Sequence, residues 1–181
     1  EFLKKALNVS EEPTDIWNLL GMEYLFQEDY IKAKKYFHKC VNENTLDYQS
    51  LYNLLYCYEQ LGENIEAIDT LNNLLEINPY SEVAWHQLGK IYIKINKPEE
   101  ALSAFEFAII SDDCYTSAYI EKGKLLEHMG RINEAIANYK FSLNFNDPNA
   151  FVNHRIGLCH LKLGNENLAV RYFEESIKLE P

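Results

Sequence analysis

No run of 18 apolar residues occurs in this 181-residue chain, so no segment of it reads as a membrane-spanning helix. Positive charge is also short. Seventeen Lys and Arg against 28 Asp and Glu leave a formal charge of −11, which argues against a nucleic-acid surface, because phosphate binding needs a net supply of cations. The four cysteines, Cys40, Cys57, Cys114 and Cys159, show no CxxC spacing and read as small core or near-core residues in a reducing compartment. GxSxG and HExxH are missing. A signal-like start is missing too, although a chain that opens at Glu1 rather than Met makes that uninformative.

Glycine is scarce, and its placement is regular. With Trp17 and Trp85 set at position 4 of a unit, successive units begin at Thr14, Tyr48, Glu82, Thr116 and Ala150, a period of 34 residues without insertion. Position 8 is Gly21, Leu55, Gly89, Gly123 and Gly157, and position 15 supplies Gly62, Gly130 and Gly164. Those two positions hold all seven glycines, so none remains for a phosphate-cradling loop. Position 20 is Ala33, Ala67, Ala101, Ala135 and Ala169, and position 24 is Phe37, Leu71, Phe105, Tyr139 and Phe173.

The spacing predicts two helices per unit. Positions 4, 7, 8 and 11 form one stripe of a helix A, and positions 20, 24, 27 and 28 a stripe of a helix B. Gly inside a helix costs about 1 kcal/mol against Ala, so its return at position 8 suggests close backbone approach, with the position-20 Ala expected as the partner. Gly at position 15 suits a left-handed C-cap. Pro98 fits the first turn of a helix B, and Pro79, Pro148 and Pro181 fall where helix B should end.

The order aromatic-x2-L-G-x2-Y, then Ala, Phe and Pro at this period resembles the tetratricopeptide repeat (TPR). Units one and three match most fully. Unit two has Leu55 for the glycine, unit four has Lys122 for the Leu, and unit five has Asn153 and His160 for the aromatics. The resemblance implies an all-α fold, a right-handed α-solenoid of antiparallel helix pairs. Its repeats are expected at 14–47, 48–81, 82–115, 116–149 and, incomplete, 150–181. Residues 1–13 would be the remnant of a preceding helix B, since Leu3 and Ala6 fall at positions 24 and 27 of an earlier unit. With no polar capping helix before Pro181, the expectation is a segment of a longer array.

Little here points to catalysis. Cys159 and His160 are adjacent and diverge by about 100° on a helix, so they do not pair locally. His160 occupies the Tyr position of helix A and reads as a core or boundary histidine. The many Glu residues lie near helix B starts, where the helix dipole favours negative charge, or on the polar side. No catalytic residue, metal ligand or cofactor is expected.

The resemblance places a concave groove on helix A positions 2, 5, 9, 12 and 13. Its first two repeats would offer Asn18, Met22, Tyr52 and Tyr56, with Asp15 and Glu59 as the charges. The last three would offer Lys90, Lys94, Lys124 and Lys162 against Glu127, with His86, His128 and His154, a local reversal of the overall sign. The carboxylate clamp of co-chaperone TPR domains is absent: its five positions read Asn18, Met22, Asn53, Val83 and Gln87, and Asn53 alone fits. An asparagine ladder like that of the O-linked N-acetylglucosamine transferase array is absent too, since position 6 reads Leu19, Asn53, Gln87, Glu121 and Arg155.

The expected function is a non-enzymatic protein-interaction scaffold, binding a protein or peptide segment in the groove, with acidic segments favoured by the lysines. The alternatives are a structural array that self-associates end to end, through Phe2, Leu3 and Leu7 at one end and Leu168, Phe173 and Ile177 at the other, and the TPR region of a larger enzyme. No nucleic acid or membrane is expected as a partner, and the expected location is cytoplasmic.

Overall fold

The computed structural model describes residues 13–43, 47–145 and 149–180. Among these residues there are ten helices and no strand. They are α1 (Pro13–Phe26), α2 (Tyr30–Glu43), α3 (Tyr48–Leu61), α4 (Asn64–Ile77), α5 (Glu82–Lys94), α6 (Pro98–Ser111), α7 (Thr116–His128), α8 (Ile132–Phe145), α9 (Ala150–Lys162) and α10 (Glu166–Leu179). The fold class is all-α, of the helix-pair solenoid type. The chain divides into two compact units, Glu1–Leu74 and Leu75–Pro181. The expected helix remnant and Phe2, Leu3 and Leu7 lie outside the described residues, as do Pro148 and Pro181.

One turn closes every helix pair. Position 15 is left-handed in all five repeats: Gly62, Gly130 and Gly164 have φ of 74°, 77° and 74°, and Glu28 and Asn96 take the same conformation at 57° and 58°. The next amide reaches back to the position-11 carbonyl, from Asp29 to Tyr24 at 2.9 Å through Lys97 to Tyr92 at 2.8 Å to Asn165 to His160 at 2.9 Å. This Schellman-type closure satisfies carbonyls that a helix end otherwise leaves open. The geometry therefore belongs to the position, and glycine merely suits it best. Pro98 stands in the first turn of α6 as the spacing predicts.

Position 34 supplies a device the repeat pattern had not suggested. Asp47, Ser81 and Asn149 each accept a hydrogen bond from the backbone N–H three residues on, at 3.0, 3.3 and 3.1 Å, and so cap α3, α5 and α9. Position 27 ties helix B to the start of its own helix A. Cys40 Sγ donates to the Thr14 carbonyl at 3.6 Å, and Ser176 Oγ donates to that of Ala150 at 2.9 Å.

In the first unit Leu20, Ala33, Phe37, Cys40, Leu51, Leu54, Cys57 and Leu71 form the core. In the second, Phe105, Leu126, Tyr139, Val152, Ile156 and Cys159 lie in one cluster with Ala101 and Ala135. The position-20 alanines are buried in every repeat. They are not the partners of the position-8 glycines, however. A Cβ on Gly21, Gly89, Gly123 or Gly157 would meet the position-24 ring of its own repeat, at 2.7, 2.5, 2.6 and 2.6 Å respectively. The glycine makes room for an aromatic ring, and in repeat two Leu55 at position 8 goes with Leu71 at position 24.

Buried cysteines behave as small apolar residues. Burial pushes the Cys57 and Cys159 thiols up to about 11, which keeps them protonated and unreactive. Cys114 is exposed. Among the described residues no helix is long and apolar enough to cross a membrane.

Candidate functional site

In the first unit α1 and α3 present Met22, Tyr52 and Tyr56 to solvent, at 44, 39 and 46% exposure. Asn53 Nδ2 lies 3.4 Å from the Met22 sulfur, and Gln49 lies 3.4 Å from Asn53. Tyr56 meets Tyr30 edge to face at 6.1 Å. Asn18 is half-buried. This face is aromatic and polar, with Tyr52 and Tyr56 each partly open to solvent.

The second unit departs from the expected groove at two places. His86 is buried, tilted against Phe105 at 5.8 Å and edge-on to Tyr115 at 5.4 Å. Burial, with Lys90 as the next influence, pushes its imidazole down to about 4. The expectation that His86 adds positive charge to the groove is thus corrected: it stays neutral because desolvation penalises the charged form. Its neighbour at position 2, Val83, is buried as well. Positions 2 and 5 in this repeat face the packing of α5 rather than a ligand.

Glu127 is the second departure. Expected as one groove charge among lysines, it is buried, and Arg155 Nη2 donates to it at 2.6 Å and Lys162 Nζ at 2.7 Å. The Tyr139 hydroxyl donates at 3.3 Å. Burial alone would raise this carboxyl, but the hydrogen bonds and charges of Lys162 and Arg155 outweigh it and leave the net shift downward. Lys162 is therefore committed to α7, and Arg155, set aside as a ladder position in the sequence, belongs to the site.

What remains at the surface is a shorter basic strip. Lys90 and Lys94 are exposed on α5, with Lys94 engaged within the chain. Lys124 on α7 pairs with Glu121 at 2.8 Å and lies 5.0 Å over the exposed ring of Phe151. Lys90, Glu121 and Lys124 all act electrostatically on His86, which puts the four groups in one neighbourhood. His128 is exposed on α7, and His154 is exposed on α9 against Phe173 at 5.3 Å. His160 is buried and stacked on Tyr172 at 5.5 Å, as a core histidine.

Among the described residues one group could be considered for a metal: Asp112, Asp113 and Cys114, with ligand atoms within 4.8 Å of one another. Asp113 and Cys114 are exposed, Asp112 is half-buried, and no histidine joins them, so they do not make an enclosed centre.

The comparisons follow the geometry. The fission yeast (Schizosaccharomyces pombe) anaphase-promoting complex subunit 3 is 26% identical over 171 residues, covering 94% of this chain and 26% of that protein. The human protein O-mannosyl-transferase TMTC3 is 23% identical over 193 residues, covering 97% of the chain and 21% of its length. The chain thus spans about a quarter or less of these relatives. The crystal structure of the protein MamA superposes with a TM-score of 0.73 at 24% identity, covering 91% of this chain and 90% of that one, which shows a shared fold. The family model of the tetratricopeptide repeat matches residues 14–44, 48–81, 83–109, 116–146 and 152–181, and the chain belongs to that family.

Proposed function

We propose that this chain is a non-enzymatic interaction module whose helix A faces bind segments of another protein, each unit through its own side chains. A relative that is a subunit of a complex supports the reading at the level of class. The observation that carries it is the set of outward side chains at repeated groove positions: Met22, Tyr52 and Tyr56 in the first unit, and Lys90, Lys94, Lys124 and His128 in the second. Tyrosines at such positions act as anchors for an apolar or aromatic side chain. The lysines favour an acidic segment. The Lys124–Glu121 pair, the loss of Lys162 to Glu127 and the engagement of Lys94 within the chain leave that preference resting chiefly on Lys90, with Lys94 exposed beside it on α5.

The decisive measurement is titration of an acidic, tyrosine-containing peptide against the wild type and a Lys90→Glu, Lys94→Glu variant. Each exposed pair contributes less than about 1 kcal/mol, so the double reversal should weaken binding several-fold. Binding should also fall as salt rises and the Debye length shrinks to roughly 8 Å. A folded variant that binds as tightly as wild type overturns the acidic-segment reading.

A structural alternative draws on α10, where Leu168, Val170, Ile177 and Leu179 are exposed. Sedimentation that stays monomeric as concentration rises excludes it. A cytoplasmic setting suits the free, buried thiols of Cys40, Cys57 and Cys159.

A further inference from the structure

Position 26, on the outer side of helix B, is a surface site by its residues elsewhere: Lys39, Asn73 and Glu175 in repeats one, two and five. In repeats three and four it is Phe107 and Phe141, which stand 47 and 53% exposed. Phe107 stacks on the position-4 ring of its own repeat, Trp85, at 4.7 Å, and both phenylalanines still leave about half of their surface open. Phe141 stacks on Tyr119 at 5.9 Å, and Phe145, one turn on and 41% exposed, stacks on the same tyrosine at 6.1 Å. The half-buried Tyr119 ring and the two exposed phenylalanines thus form one aromatic surface along α7 and α8.

Repeat one shows what such an edge receives. There the position-26 side chain is Lys39, and its ammonium lies 5.1 Å over the ring of Trp17, the position-4 residue equivalent to Tyr119. In repeat four no lysine of the same repeat fills that role, because position 26 is itself aromatic. Acidic charge stands nearby instead. Asp112 and Asp113 stand in the turn between α6 and α7, where the Tyr115 N–H donates to the Asp112 carbonyl at 3.1 Å, about one helical turn before Tyr119. Burial first, and then these acidic neighbours, push the Tyr119 phenol up. Aromatic faces rimmed by carboxylates attract cations, and guanidinium groups above all, since these also stack.

We propose that Tyr119, Phe141 and Phe145, flanked by Asp112 and Asp113, form a second docking surface that takes an arginine-bearing segment of a partner protein. Its charge preference is opposite to that of the Lys90–Lys94 face, so one partner could not satisfy both with a single type of segment.

The test is a titration of the 181-residue chain with an alternating Arg–Gly peptide, and with the matching Glu–Gly peptide as control. Phe141→Leu with Phe145→Leu keeps apolar bulk and net charge but removes two π faces, and should weaken Arg–Gly binding by about fivefold with an unchanged Tm. Asp112→Asn with Asp113→Asn leaves all three rings in place and should also weaken it, which keeps the proposal testable if the leucine variant unfolds. Lys90→Glu with Lys94→Glu should not weaken it, which separates this surface from the groove. Equal affinity of the leucine variant and wild type, with both falling alike in salt, would mean diffuse attraction to an acidic chain and overturn the proposal. No Arg–Gly binding by wild type overturns it as well. Self-association of wild type that the leucine variant abolishes would make a second copy the occupant, and the proposal would fall.

Discussion

Gly89 and Phe105 are matched across the α5–α6 pair: a methyl group on Gly89 would stand 2.5 Å from Cε1 of the Phe105 ring. The ring is fully buried, so it has no room to step aside. Gly89→Ala should therefore destabilise by about 1–3 kcal/mol, against the usual gain from replacing a helical glycine. Phe105→Leu in the same chain puts at position 24 the Leu that repeat two carries opposite its non-glycine position 8, and should recover part of the loss. A double-mutant cycle read by denaturant unfolding measures this, and strict additivity of the two changes would show that they are not coupled.

Glu28 adopts φ of 57° at a position where three other repeats use glycine. A side chain there costs about 1–2 kcal/mol, while glycine gives back part of that through the freedom of the unfolded chain. Glu28→Gly should raise stability by about 0.5–1 kcal/mol. Asn96→Gly should gain less, because asparagine tolerates this region. A lower Tm for Glu28→Gly would contradict the assignment of strain.

Glu127→Gln removes the acceptor charge for Arg155 and Lys162 and should destabilise by about 1–3 kcal/mol, moderated because Lys162 is half exposed and regains water. The folded carboxyl is held below its ordinary value. Its contribution is therefore complete above the unfolded value near about 4.3 and is lost as pH falls through the lower folded one. The variant should show a shallower loss of stability in that acid range. An acid limb identical to wild type would remove Glu127 as a contributor.

His86 has a linkage of the same sign, arising from desolvation of the charged form rather than from charge pairing. Its folded value of about 4 lies below the unfolded value near about 6.5, so the unfolded chain gains a proton first. Stability should fall as pH drops between those values and level off below the lower one. His86→Gln should flatten this segment of the stability–pH curve. A measured titration of His86 near its ordinary value, by NMR, would refute the buried neutral state.

Helices, turns and the core alanines were legible in the residues because periodicity reports local geometry: apolar residues three and four apart must share a face. The left-handed position 15 was half legible, visible where glycine marks it and hidden at Glu28 and Asn96, where the same backbone is imposed on other residues. The position-8 glycine announced a close approach but not its partner, since ring and backbone meet across the helix pair.

The site divides in the same way. Residue order alone determined that Lys90, Lys94, Tyr52 and Tyr56 lie on the helix face opposite the core stripe, and they are exposed there. Only the tertiary structure decided which charges stay open to solvent. Glu127 is neutralised by Arg155 and Lys162, 28 and 35 residues further along, and His86 is buried under Tyr115 and Phe105. The Glu127 pairings join repeat four to repeat five, while His86 is covered within its own repeat by α6 and the turn after it. A pattern that repeats every 34 residues describes each unit without saying which side chains close over which.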